Sequence, residues 1–120
     1  MGRIWIGCGS LAGLGAVAMS AYAAHGLTSL DTARLAMVQS AIQMQGWHAL
    51  ALVACGIWAA RGGRLAVLAG AAFTLGMLLF CGDIYALVLA DIHLAPAAPI
   101  GGTLLMLGWA LLGASAIRNG

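Results

Sequence analysis

Lysine and glutamate are absent from this sequence, and little other charge takes their place. The charged side chains are Arg3, Asp31, Arg34, Arg61, Arg64, Asp83, Asp91 and Arg118, 7% of the residues. A soluble domain carries about 25%, so a surface this poor in charge is not one that water would keep dissolved. The five arginines form no patch or stripe, which excludes the electrostatic footprint of a nucleic-acid-binding protein. Proline is nearly missing too: Pro96 and Pro99 stand together, so no proline interrupts the long apolar stretches before them. The cysteines, Cys8, Cys55 and Cys81, are odd in number, far apart and embedded in apolar runs. That pattern argues against a disulfide framework or a zinc site and for small buried hydrophobes.

What fills the chain is apolar, with 63% of its 120 residues hydrophobic. A membrane-crossing helix needs roughly 20 mostly apolar residues. Four segments qualify, at about 4–24, 31–60, 65–90 and 99–117. The fold class expected is all-α: an integral membrane four-helix bundle occupying residues 1–120 as one domain, with sequential helices antiparallel and short loops between them. The breaks have chemical causes. Gly26 suits a helix C-terminus, and Thr28, Ser29 and Asp31 offer N-cap oxygens to the next helix. Arg61-Gly62-Gly63-Arg64 reads as a polar turn, and Pro99 fits the first turn of the last helix. The opening segment, with Arg3 before an apolar run and Ala21-Tyr22-Ala23 after it, has the outline of a secretory signal. Its run is longer than a signal core, so it is read as a retained first helix.

Arginine placement predicts the orientation. Four crossings put Arg3, Arg61, Arg64 and Arg118 on one side and Arg34 alone on the other. The arginine-rich side is the cytoplasmic one, so both termini are expected inside and the chain is expected in a bacterial inner (plasma) membrane.

Polar residues within the spans are the candidates for function, because lipid makes them costly. Counting along each helix from the arginine-rich side puts Tyr22, Gln43 and Asp83 at one level near the outer edge of the hydrocarbon and His48 just past the midplane. Gln45 and Tyr85 are their neighbours, so Tyr22, Gln43, Gln45, His48, Asp83 and Tyr85 make up a candidate intramembrane cluster. It could hold a proton, a small ligand or a headgroup; equally, the same groups could only tie helices together. His25, Asp91 and His93 are expected at the outer surface. Gly9 and Gly13 form a small-xxx-small pair, which serves packing within the chain or a homodimer or subunit face. His48 is the one histidine placed for an axial haem ligand, but no pocket-forming motif accompanies it, and no cofactor or metal is expected. No paired carboxylates, metal-ligand spacing, nucleophile elbow or nucleotide fingerprint appears, so no catalytic residue is assigned and an enzyme is not expected.

Four segments resemble a known family in order and over nearly the whole chain. AMSAYAAHGL (18–27) resembles its GAFGAHGL, IQMQGWHALAL (42–52) its VQYQMYHALAL, LLFCGDIY (78–85) its LLFSGSLY, and APIGGTLLMLGW (98–109) its TPIGGLLFLLGW. These belong to the YgdD-like family of small membrane proteins, whose eukaryotic relatives are named transmembrane protein 256. The resemblance implies a four-helix bacterial inner-membrane protein and no known activity. It carries over His25, Gly26, Gln43, Gln45, His48, Gly82, Tyr85, Pro99, Gly101, Gly102, Gly108 and Trp109, without assigned roles. Asp83 and Cys81 depart from it, since serine is usual at both positions. The function expected is an accessory or structural subunit of a larger membrane complex; the alternative is a small oligomeric transporter or channel built on the outer-half polar cluster.

Overall fold

The computed structural model describes residues 2–119, with the side chain of Asn119 left aside. Its elements are α1 (Gly2–Gly26), α2 (Thr32–Ala90) and α3 (Ala97–Asn119), with no strand among the described residues. Each of the three is long and apolar enough to cross a membrane. Helix is the expected outcome for such stretches, because in lipid every backbone N–H and C=O must be satisfied within the segment.

The ends are set by local chemistry. A turn closed by the Leu30 N–H on the Leu27 carbonyl (3.4 Å) separates α1 from α2. Asp31 then caps α2, its Oδ1 accepting from the Arg34 N–H at 2.7 Å. At the far end Asp91 takes the left-handed conformation, φ 55°. The N–H groups of Asp91 and Ile92 return to the carbonyls of Leu87 and Ala86, so the last turn leaves few orphan acceptors. The link to α3 contains a cis Ala95–Pro96 bond.

The largest departure from the sequence expectation lies at Arg61–Arg64. A loop between two separate helices is expected there, whereas the structure has one 59-residue element, three helices in place of four. The helix is interrupted only at Gly63, with φ 62° and ψ −146°, a conformation open to glycine and essentially closed to other residues. A straight helix of that length would run about 88 Å. The molecule's longest dimension is 49 Å, so α2 doubles back at Gly63 into two limbs, 32–62 and 64–90. The Arg34 and Asp91 side chains, 3.6 Å apart, mark where the limbs' other ends meet again.

The limbs of α2 are the centre of the molecule: among the described residues, α1 and α3 each pack on α2 and not on each other. One apolar cluster joins Trp5, Leu52, Cys55, Phe73, Met77 and Leu105, and a second joins Ala23, Leu27, Val38, Cys81, Ile84 and Val88. The cysteines are free; Cys55 and Cys81 are buried in these clusters and Cys8 is partly buried. Gly9 meets the first limb so closely that a Cβ there would lie 2.7 Å from the Ala49 carbonyl oxygen. Gly13 is less demanding, its nearest neighbour being the Ala49 Cβ at 3.8 Å. The pair therefore packs α1 within the chain, and a homodimer seam through Gly9 has no room.

The Gly63 reversal generates a stability prediction. Gly63→Ala should destabilise the protein by about 1–3 kcal/mol, because alanine cannot adopt that backbone without strain. Gly113→Ala, where a Cβ meets nothing within 4 Å, should be neutral. Thermal unfolding in detergent measures both; equal midpoints for the two variants would contradict a strained reversal at Gly63.

Candidate functional site: hydrogen bonds across the helices

The expected polar cluster does not form as one group. The structure divides it into three paired sites and an exposed remainder. The first pair centres on His48, 3% exposed and near the middle of the first limb. Its Nδ1 lies 2.6 Å from the Met44 carbonyl oxygen one turn back, and its Nε2 accepts from the Trp109 indole N–H at 3.0 Å. An indole nitrogen only donates and a carbonyl only accepts, so the two partners assign the proton to Nδ1 and the lone pair to Nε2. Phe73 completes the packing, its ring centroid 5.5 Å from His48 and 5.1 Å from Trp109. His48 thus joins both limbs of α2 to α3, and neither ring nitrogen is left for a haem iron.

The second site is Gln45. Its Nε2 donates to the Ala12 carbonyl of α1 at 2.9 Å, and its Oε1 accepts from the Tyr85 hydroxyl of the second limb at 2.8 Å. One amide therefore ties α1 to both limbs of α2, using both its donor and its acceptor. The third is Asp83, whose Oδ2 accepts from the Ala98 N–H at 3.1 Å. This carboxylate sits at the start of α3, where a helix exposes unpaired N–H groups and a partial positive charge. The residue singled out as a possible embedded carboxylate is in place as a cap for the neighbouring helix.

Tyr22 and Gln43 lie apart from these. Tyr22 is half exposed and rests over Gly26. Gln43 faces outward on the first limb, lining a groove with Ser20 and Gln39. His25, Asp91 and His93 are exposed at the end carrying Asp31 and Arg34.

Two further contacts escaped the sequence reading. The Trp58 indole N–H donates to Ser115 Oγ at 2.9 Å, fastening the first limb to α3, and Ser115 Oγ donates in turn to the Leu112 carbonyl at 2.6 Å. The signal was available in part: Trp58 and Trp109 stand in apolar spans, and an indole N–H in such a place usually finds an acceptor, although that of the buried Trp5 has none among the described residues. Cys81 likewise donates through sulfur to the Ala41 carbonyl at 3.3 Å.

A groove of about 410 Å³ opens between α1 and the two limbs, lined by Cys8, Leu11, Leu52, Thr74, Met77 and Leu78, with Gln45, Cys81 and Tyr85 at its polar end. Thr74 donates to the Gly70 carbonyl at 2.9 Å, so Thr74, Gln45, Cys81 and Tyr85 in this groove are already engaged within the protein. Among the described residues, no three His, Cys, Asp or Glu side chains gather as a metal-ligand set.

Spans of this length, polar groups paired across them and little charge define a helical multi-pass membrane protein. The comparisons name the family. Residues 19–102 match the model of the DUF423 family, described as a protein family of unknown function, and the chain belongs to it. It is 34% identical over 112 residues to the UPF0382 membrane protein of Haemophilus influenzae, covering 92% of this chain and 90% of that one. It is 33% identical over 112 residues to the UPF0382 membrane protein of Staphylococcus saprophyticus, covering 92% and 93%. The UPF0382 inner membrane protein YgdD of Escherichia coli is 32% identical over 107 residues, 85% of this chain and 80% of that one. These are bacterial membrane proteins, and the chain is a bacterial membrane protein of the same kind. No solved structure matches it.

The Gln45–Tyr85 bond yields a measurable coupling. Tyr85→Phe and Gln45→Leu should each destabilise the protein by about 1 kcal/mol, and together by less than their sum, since interhelical bonds in membranes contribute about 0.6–1.7 kcal/mol. Denaturant unfolding of the two single variants and the double variant gives the cycle; additive effects would show that the bond contributes nothing.

Proposed function

We propose that the chain is a non-enzymatic accessory or structural subunit of a larger membrane complex, crossing the bilayer four times with both termini in the cytoplasm. In this reading the two limbs of α2 are two crossings and the Gly63 reversal is a cytoplasmic turn. The orientation is supported by where the arginines stand. Arg61 and Arg64 flank the reversal, with the Arg61 guanidinium 5.6 Å above the Trp58 ring, and Arg3 lies beside Gly63 in a shared groove. Arg118 belongs to the same end, one turn beyond Ser115, which Trp58 holds. Arg34 alone is at the other end, paired with Asp91. Such an asymmetry supports a cytoplasmic arginine-rich end.

The accessory role is supported by one observation above the others: His48, Gln45, Tyr85 and Asp83 are spent on bonds between helices. A carrier of the usual kind needs an ionisable group free to change partners inside the membrane. Asp83, the one carboxylate available to such a mechanism, caps α3 instead.

A C-terminal fusion to green fluorescent protein tests both halves of the proposal. Fluorescent cells are expected, because the fusion folds to its fluorescent form in the cytoplasm and not after export through the general secretory route. In mild detergent the fluorescent species should elute with a second protein in fixed stoichiometry. Dark cells with full-length fusion would overturn the orientation, and elution with no other protein would overturn the accessory role.

A further inference from the structure

Several of the polar groups left over from the helix-to-helix bonds collect on one face, while the buried Trp5 indole and the Tyr22 hydroxyl stand apart from it. Gln39, Ser40, Gln43 and Trp47 of the first limb are exposed, and at 3.6 residues per turn they fall within about 100° of arc. Ser20 of α1 stands across the groove from Gln39 and Gln43, beside the small residues Ala23 and Ala24. None of these five polar side chains has a hydrogen-bond partner among the described residues. Two other exposed hydroxyls within the helices are satisfied locally: Ser10 donates to the Ile6 carbonyl at 2.8 Å and Thr103 to the Pro99 carbonyl at 2.9 Å.

Depth makes the unpaired amides costly. The first limb runs from the Asp31 cap to the Gly63 reversal, about 46 Å at 1.5 Å per residue. A hydrocarbon layer of about 30 Å centred on it begins near residue 36. With the layer centred on the observed limb, Gln43 lies about 10 Å inside it, deeper than the count from the arginine-rich side puts it, and beyond the reach of its side chain to the interface. Lipid tails offer it neither donor nor acceptor, so something polar must cover this face.

We propose that the cover is a second copy of the chain, packed side by side in the same orientation about a two-fold axis along the membrane normal. A primary amide carries both donor and acceptor, so it is complementary to itself. A two-fold axis along the normal brings each amide to its own counterpart at equal depth, Gln43 to Gln43 and Gln39 to Gln39, as an isologous contact requires. Ser20, Ala23 and Ala24 leave room for the helices to approach. The groove has no charged lining residue to hold a phosphate headgroup, and headgroups do not reach the level of Gln43. This interface differs from the Gly9 face, which is filled by the first limb. It requires only that the chain cross the bilayer, and it stands or fails separately from the accessory role.

The test combines oligomeric state with proximity. The native chain, purified in detergent away from any other protein, should have a protein mass twice 12.1 kDa. The Gln39→Leu/Gln43→Leu variant, whose apolar substitutions sit on an exposed face and spare the interior, should dissociate at a protein concentration at least about tenfold higher. In membranes, oxidation should join Gln43→Cys chains as a disulfide dimer and leave Leu107→Cys chains on α3 unjoined. A native chain that stays monomeric at every concentration, a double-leucine variant that dimerises equally well, or Gln43→Cys cross-linking no better than Leu107→Cys would each overturn the proposal. So would a native chain that purifies one-to-one with a different protein and loses it on the double substitution.

Discussion

One constraint organises this molecule: inside lipid, a polar group without a partner has no water to fall back on. The backbone meets it by forming helices over nearly all of the described residues. Several side chains meet it by pairing between helices, and those pairings help determine which faces touch. Gln45 needs both α1 and the second limb, His48 needs Trp109, and Trp58 needs Ser115. Since lipid supplies no hydrophobic drive between helices, these bonds and the close packing at residues such as Gly9 set the arrangement.

Much of the fold was readable from residue order. Apolar length located the spans, and Gly26, Asp31 and the proline pair located the ends, since each acts on its own few residues. Arg61-Gly62-Gly63-Arg64 was readable as a reversal but not as its form. A single glycine in a conformation closed to other residues turns α2 back, and nothing in the sequence distinguishes that from a short loop.

The site was less legible, for a geometric reason. Counting residues gives depth along a helix but not the direction a side chain takes around it relative to neighbours. Tyr22, Gln43 and Asp83 were assigned one level and turn out to face three ways: over Gly26, outward, and onto the start of α3. Depth alone suggested a cluster; direction dissolves it. The tryptophans carried information that counting ignored, because an indole N–H in an apolar span usually finds an acceptor. Trp109 and His48, both matched in the family resemblance, are such a pair.

The central claim is that the polar groups at the helix contacts, His48 with Trp109 foremost, are fixed by one another. Nitrogen-15 NMR of His48 in bilayers tests it most directly, since the chemical shifts of the two ring nitrogens report which one carries the proton. The structure predicts a neutral ring with the proton on Nδ1 and a hydrogen-bonded, unprotonated Nε2, the latter signal moving when Trp109 is replaced by phenylalanine. A proton on Nε2, a doubly protonated ring, or an Nε2 signal indifferent to Trp109→Phe would contradict it.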